Sequence, residues 1–122
     1  MSLERDCYLL YGFKIEDESE IKVFDDNYEE LMEKAPYSKF FNNCNSEQTI
    51  VFDCMCGEYV YIGIKLAKLD AEYDDTENVE ISEEDINSLN DKLNEYMKLW
   101  PNYLFDSCNG RMPKLYFFIN VH

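Results

Sequence analysis

The chain has 122 residues, with 26 acidic and 11 basic side chains and a formal net charge of −15 at pH 7. This length can bury enough apolar surface for a real core, and 46% hydrophobic with 16% aromatic residues is too apolar for an acidic disordered tail. We therefore expect one domain over residues 1–122. Its charge repels phosphate backbones and anionic lipids, which disfavours direct nucleic-acid or membrane binding and favours a basic protein partner.

The sequence predicts a cytoplasmic protein with reduced thiols. No apolar run approaches the ~20 residues of a membrane span, and residues 1–6 lack the basic and apolar regions of a signal peptide. Five cysteines, an odd number, favour free thiols over a disulfide framework. Abundant Phe, Tyr, Met, Ile, Asn and Lys, which have AT-rich codons, are typical of low-GC genomes, and these include many phages and mobile elements.

The N-terminal part of the chain predicts a strand followed by a short helix. Residues 7–15 are aromatic and β-branched and predict a strand. Residues 21–24 predict either a short strand that folds back on the first or a loop. Residues 28–35 predict a helix with Asp26 as its N-cap and with Pro36 preventing its continuation. Residues 37–47 then predict a loop pinned by three aromatic side chains, Tyr37, Phe40 and Phe41.

The middle of the chain predicts a β-hairpin. Residues 48–54 and 59–69 are both typical of strands, and Cys56 with Gly57 between them suits a tight turn because glycine tolerates positive φ. Gly63, inside the second strand, indicates either a bulge or close packing against a neighbour.

The C-terminal part predicts a loop, an amphipathic helix and a strand. Residues 70–81 are acidic and predict a loop, and Ser82 with Asp85 resembles a capping box. One helical face then collects the apolar side chains of Ile86, Leu89, Leu93, Tyr96, Met97 and Trp100. Asn109 and Gly110 predict a turn. Residues 114–121 predict a strand inside or near the middle of a sheet, because both of its faces are apolar.

The order strand, helix, strand, strand, helix, strand predicts an α+β fold. We expect a four-stranded antiparallel-type sheet with two helices in the ferredoxin-like split βαβ (βαββαβ) order, with an extra short strand at residues 21–24 as the open alternative. We expect the first and third strands to be parallel neighbours, so that the connections that leave them emerge at the same end of the sheet. A hairpin at residues 21–24 would instead move Asp25 and Asp26 to the opposite end.

The excess negative charge lies in two segments, each joining a strand to a helix. Residues 16–33 contain nine acids and one base, a net charge of −8, and residues 70–85 contain nine acids and no base, a net charge of −9. We expect the two segments to converge into one acidic rim that binds a partner. The predicted partner-binding residues are Glu16, Asp17, Glu18, Glu20, Asp25, Asp26, Glu29, Asp70, Glu72, Tyr73, Asp74, Asp75, Glu77, Glu80, Glu83 and Glu84.

Two hypotheses follow from this charge pattern. The first is a non-enzymatic acidic inhibitor whose rim imitates nucleic-acid phosphates and docks on a basic cleft of a nuclease or other nucleic-acid-processing enzyme, with Tyr28 and Tyr73 as anchors. Phage-type defence inhibitors and toxin immunity proteins fit this description. The alternative is a structural or regulatory α+β module that self-associates through its sheet, with the acids present for solubility and for the helix dipoles.

A thiol or metal enzyme is the third hypothesis, and we expect no cofactor or metal. Cys54 and Cys56 are separated by one residue, and no second Cys or His pair stands at zinc-finger spacing, although Cys44 or Cys108 could join them. The acidic loop is no EF-hand, because Asp75 and Ile81 stand where the turn glycine and the bidentate glutamate are needed. The chain's one histidine, His122, is its last residue, which disfavours a catalytic dyad.

Aromatic residues of the first and last predicted strands have two interpretations. They are Tyr8, Tyr11, Phe13, Tyr116, Phe117 and Phe118. A nucleic-acid stacking platform needs basic neighbours, and only Lys14 and Lys114 are close in sequence. We therefore expect these rings to form the core or an oligomer contact.

Overall fold

The structure, a computed structural model, describes residues 5–41, 47–53, 57–70 and 80–121. These residues form four strands and five helices. In chain order they are β1 (Arg5–Ile15), α1 (Glu18–Asp26), α2 (Tyr28–Met32), α3 (Tyr37–Phe41), β2 (Gln48–Phe52), β3 (Val60–Asp70), α4 (Glu83–Met97), α5 (Asn102–Cys108) and β4 (Lys114–Val121). The predicted α+β class is confirmed, with five helices in place of two. Within the described ranges, no helix has the length and apolar character needed to cross a membrane.

The four strands form one antiparallel sheet in the order β2-β3-β1-β4. The prediction that the first and third strands are parallel is wrong, since β1 pairs antiparallel with β3 from Asp6↔Asp70 to Ile15↔Val60. The hairpin explains the direction. The chain reverses direction between β2 and β3, and β3 lies between β2 and β1, so that it runs antiparallel to both neighbours.

The last strand lies at an edge of the sheet, where the sequence predicts a central position. β4 has the predicted bounds but pairs only with β1 among the described strands. Apolar residues on both faces favoured a central strand, yet Leu115, Phe117 and Ile119 remain exposed to solvent. The described part of the chain therefore does not bury these three side chains.

The main hydrophobic core lies between the helices and one face of the sheet. The strands contribute Tyr11, Phe13, Ile62 and Ile64, among others, and all five helices contribute buried residues. At the β2 side, the Trp100 indole N–H donates a hydrogen bond of 2.8 Å to Oε1 of Gln48, and both side chains are buried.

α4 confirms the predicted capping box and apolar face. The backbone N–H of Asp85 donates to Oγ of Ser82 over 3.1 Å, and the N–H of Ser82 donates to Oδ2 of Asp85 over 2.9 Å. Leu93 and Met97 are buried, and the other residues of the predicted stripe pack against the core. α5, which follows directly after Pro101, is a helix that the sequence analysis did not predict.

The segment before β2 is more helical than predicted. Residues 21–24 form neither a strand nor a loop but the middle of α1, where Ile21 and Phe24, three positions apart, bury one helical face. Asp26 is the last residue of α1 rather than an N-cap, and α2 begins after Asn27. The predicted loop at residues 37–47 contains α3, whose aromatic side chains do pack on the core, while residues 42–46 lie outside the described residues.

The predicted hairpin of β2 and β3 is confirmed, with Gly57 at a φ of 66°. Residues 54–56 of the turn are not among those described. Gly63 allows β1 and β3 to pack closely. It faces Gly12 across β1 and β3, where a Cβ on Gly12 would come within 2.7 Å of the Cα of Gly63. The irregularity in register lies elsewhere, between Leu9 and Leu10.

Candidate functional site

The connection after β1, with α1 and α2, carries many exposed carboxylates. We call the acids of residues 16–33 the acidic helical surface. Its exposed members are Glu16, Asp17, Glu18, Asp25, Asp26, Glu29 and Glu33, whereas Glu20 and Glu30 are half-buried. Lys22 is the one basic residue in this range. The surface therefore presents a strongly negative potential on one side of the molecule.

Two of these acids have a local structural role. Asp17 caps α1, accepting hydrogen bonds from the N–H of Ser19 over 3.0 Å and of Glu20 over 3.2 Å, and it also accepts from the Ser19 hydroxyl. These bonds hold the pKa of Asp17 below its usual value, with the Ser19 hydroxyl as the main cause. Glu16 pairs with Lys14 over 2.9 Å, and the same contact lowers the pKa of Glu16.

Asp25 and Asp26 have no such role. Both lie exposed in the last turn of α1, which contains no basic residue. The C-terminal end of a helix carries partial negative charge, so carboxylates are disfavoured there. α2 begins after Asn27 with no side-chain capping bond, so neither aspartate caps it. Within the described chain, neither makes an ion pair. Their position is therefore unfavourable for the stability of α1.

Exposed apolar side chains lie among these carboxylates. Tyr28 is 45% exposed, with its ring packed edge-on against Phe52 at a centroid distance of 5.2 Å. Val23 is 39% exposed on α1. An aromatic ring fixed at its base and open at its outer side is typical of an anchor in a protein interface.

A shallow depression accompanies the acidic helical surface. It has a volume of about 650 Å³ and lies between α1 and Gly57 of the β2–β3 connection. Its lining includes the carboxylates of Asp17, Glu18 and Asp25 together with Lys22. Its open, acidic form suits a basic side chain of a partner better than an enclosed small-molecule substrate.

The second acidic segment leaves the sheet at the opposite end. β1 ends at Ile15, opposite Val60, whereas β3 ends at Asp70, opposite Asp6. The two exits are about 30 Å apart at the rise of a β-strand, which exceeds the screening length at physiological salt. The antiparallel pairing therefore does not bring both segments to one end of the sheet.

The remaining predicted residues divide between described and undescribed parts of the chain. Glu80, Glu83 and Glu84 are exposed before and within the first turn of α4, beside the capping box. The others of the second segment, Glu72, Tyr73, Asp74, Asp75 and Glu77, lie outside the described residues.

The predicted aromatic stripe is divided between the two faces of the sheet. Tyr11 and Phe13 belong to the main core, while Tyr8, Tyr116 and Phe118 join Tyr61 in a second cluster that contains no helical residue among those described. In this second cluster Phe118 stacks on Tyr61 at 3.7 Å and on Tyr8 at 5.2 Å. These ring faces contact each other, which leaves them unsuited to stacking with bases.

Cys7 and Cys108 are the two cysteines in the described residues, and both are free thiols, with Cys7 half-buried. Cys108 is buried, and burial raises the pKa of its thiol to about 12, which keeps it protonated and unreactive. Cys44, Cys54 and Cys56 lie outside the described residues. Among the residues that are described, no three His, Cys, Asp or Glu side chains are arranged to hold a metal ion.

Sequence reasoning missed α1 and with it the position of Asp25 and Asp26. A signal was present, because Asp17 is followed three residues later by Glu20, and Ile21 and Phe24 recur at helical spacing. The short apolar run around Val23 instead predicted either a short strand or a loop. Comparison with family models, curated proteins and solved structures gave no match for this chain.

Proposed function

We propose that this chain is a non-enzymatic acidic binding protein that docks the acidic helical surface on a basic cleft of a partner protein. The observation that carries the proposal is the placement of Asp25 and Asp26. They disfavour α1, the helix that carries them, so neither the dipole of α1 nor a side-chain cap explains their presence. Solubility alone requires charge, but not charge at this position.

The charge and the exposed apolar side chains of the acidic helical surface fit this role. A net charge of −8 over residues 16–33 accelerates encounter with a basic surface, and this effect weakens with added salt. Tyr28 and Val23 supply apolar contact area once water is excluded, so specificity does not depend on charge alone.

The partner class follows from charge complementarity. Basic clefts of this kind occur in nucleases and other nucleic-acid-processing enzymes, where they bind phosphates. Occupying such a cleft with carboxylates would inhibit the enzyme by competing with nucleic acid, as a phage-type defence inhibitor or a toxin immunity protein does. We place this function in the cytoplasm, in keeping with the odd number of cysteines.

The sheet also supports a finer fold assignment. We propose the ferredoxin-like split βαβ arrangement, in which each helical crossover skips one strand. β3 lies between β1 and β2, and β1 lies between β3 and β4. On this view α1, α2 and α3 together form the first crossover, and α4 with α5 forms the second.

The test compares two variants with the same net charge. One neutralises the acidic helical surface with Glu18→Gln, Asp25→Asn and Asp26→Asn. The other neutralises three exposed acids of α4 and α5 with Asp91→Asn, Glu95→Gln and Asp106→Asn. Each bait is used to capture proteins from lysate of the source cells, and the affinity for each captured protein is then measured by calorimetry at several salt concentrations.

We expect a basic nucleic-acid-processing protein to bind the wild type and the α4–α5 variant, and to lose at least tenfold in affinity for the acidic-surface variant. Its affinity for the wild type should fall with salt, and nucleic acid should compete for it. Equal binding by both variants, or binding independent of salt, would refute the proposal.

A further inference from the structure

β4 leaves one edge of the sheet open. It pairs with β1 along its length, from Arg5↔Val121 to Gly12↔Lys114, and no other described strand lies on its far side. In an antiparallel sheet about half of the N–H and C=O groups of such a strand point away from its neighbour. An open edge of this kind is a template for pairing with another strand.

The described residues also leave the helix-side face of β4 uncovered. Leu115, Phe117 and Ile119 alternate along the strand on the same side as Tyr11, which belongs to the main core. They are nevertheless 40%, 74% and 54% exposed, and Met112 just before the strand is 80% exposed. These four side chains expose on the order of 500 Å² of apolar surface, comparable with the largest patch of a typical monomer.

β4 carries a charged residue only at its start, Lys114, which follows Pro113, and beyond these two the usual protections of an edge strand are missing. Residues 115–121 contain no charged residue and no proline, and the pairing of β4 with β1 has no irregularity in register. Natural edge strands normally carry such features because an unprotected apolar edge aggregates. Their absence indicates that another strand covers this one in solution.

The charge distribution identifies the occupant. The chain carries a net charge of −15, yet residues 109–122 contain two bases and no acid. Two copies that meet here bring together parts of each chain that contain no acid, so the −15 charges of the two copies are not concentrated at the contact. A basic partner would be attracted to the acidic helical surface instead, so this edge fits a second copy of the same chain.

We propose that two copies of this chain associate through antiparallel pairing of their β4 strands, which forms a continuous eight-stranded sheet. A two-fold axis perpendicular to the sheet keeps the helices of both copies on one face, so residues of the same face come opposite each other. We expect a register in which Phe117 lies opposite the partner's Phe117. In this register Leu115 lies opposite the partner's Ile119. Burying on the order of 500 Å² on each copy reaches the ~1,000 Å² that a specific interface needs.

The first test measures mass in solution by sedimentation equilibrium. We expect the wild type to have twice the monomer mass of 14.6 kDa. Phe117→Lys and Ile119→Lys should each give monomers that keep the wild-type circular dichroism spectrum, because both side chains are exposed within one copy. Leu99→Lys is the matched control, since Leu99 is 54% exposed like Ile119 but lies after α4, and this variant should remain a dimer.

The second test measures the register. Phe117→Cys should form a disulfide between copies on mild oxidation with diamide, because opposite residues of paired strands bring their Cβ atoms close enough for one. Leu99→Cys, with the same native cysteines, should not form this crosslink.

A monomeric wild type would overturn the proposal. So would a dimer that survives both lysine substitutions, open-ended aggregation in place of a discrete dimer, or a Phe117→Cys variant that dimerises without crosslinking. Added salt should strengthen this dimer, because it screens the repulsion between two acidic copies, whereas it should weaken binding of a basic partner. The two proposals can therefore fail separately.

Discussion

The buried pair of Trp100 and Gln48 shows how single residues connect distant parts of the chain. The indole N–H of Trp100, after α4, donates to the side chain of Gln48, the first residue of β2. The apolar spacing of α4 predicted that Trp100 faces the core. Its polar partner could not be predicted, because a glutamine at the start of a strand is ordinarily exposed and only the crossing of α4 over the sheet brings the two together.

Replacing Gln48 with methionine keeps its approximate volume but leaves the indole N–H buried without this acceptor. We expect Gln48→Met to lower the free energy of unfolding by about 1–3 kcal/mol, the cost of an unsatisfied buried polar group. Urea denaturation followed by the fluorescence of the single tryptophan measures this. Asn94→Met, on the exposed side of α4, is the control and should change stability little. A Gln48→Met protein as stable as the control would show that the hydrogen bond contributes nothing.

Because the thiol of Cys108 is buried, we expect the protein to lose stability at alkaline pH. Burial raises the pKa of its thiol from 9.0 to about 12, so between these values the folded chain holds a proton that the unfolded chain loses. The contribution of Cys108 to stability is therefore fully present below about pH 9 and falls by about 1.4 kcal/mol per pH unit until pH 12. Cys108→Ala should flatten this dependence in urea titrations between pH 8 and 11, and Ser107→Ala should retain it. Parallel pH profiles for all three proteins would contradict the assignment.

At the scale of elements, strong local signals were read correctly and short apolar runs were not. The capping box at Ser82 and the apolar face after it predicted α4, since helical spacing over four turns has few other interpretations. Residues 21–24 were too few to show a period, so the sequence left a strand and a loop open and did not predict the helix that Asp17 caps. α3 and α5 have five and seven residues, lengths at which packing on the core, rather than propensity, decides the conformation.

We expect Asp25 and Asp26 of α1 to lower the stability of the protein while they contribute to binding a partner. Removing the charges of Asp25 and Asp26 from its last turn should stabilise the protein, because carboxylates there oppose the helix dipole. We expect Asp25→Asn with Asp26→Asn to raise the free energy of unfolding by about 0.3–1 kcal/mol per site, measured by urea denaturation at low salt. Asp91→Asn, in the middle of α4, is the control and should have a smaller effect. A destabilised double variant would mean that the two aspartates serve the fold after all.

At the scale of the whole molecule, charge opposes folding, and the sheet separates the two acidic segments. A net charge of −15 on 122 residues raises the electrostatic energy of the compact state. The composition alone establishes this repulsion. Where each segment leaves the sheet depends on strand direction, and the antiparallel pairing of β1 with β3 directs the two segments to opposite ends.

This repulsion predicts that salt stabilises the folded protein. We expect the free energy of unfolding to rise by on the order of 1 kcal/mol when sodium chloride is raised from low to physiological concentration, because salt screens like charges. Urea denaturation across a salt series measures this, and the double variant of Asp25 and Asp26 should respond less than the wild type. A wild type that loses stability with salt would indicate that attractive ion pairs outweigh the repulsion.

The α+β class, the hairpin, the bounds of β4 and the amphipathic face of α4 could be predicted from the sequence, because each depends on residues that are neighbours along the chain. The direction of β3 against β1, the edge position of β4 and the place of Asp25 and Asp26 at the end of a helix emerge only in the fold. These features depend on which elements pack together. Apolar residues such as Phe117 alternate along the sequence in the same way whether the strand is covered by its own chain or by a partner. The exposure of their side chains therefore follows only from the folded structure.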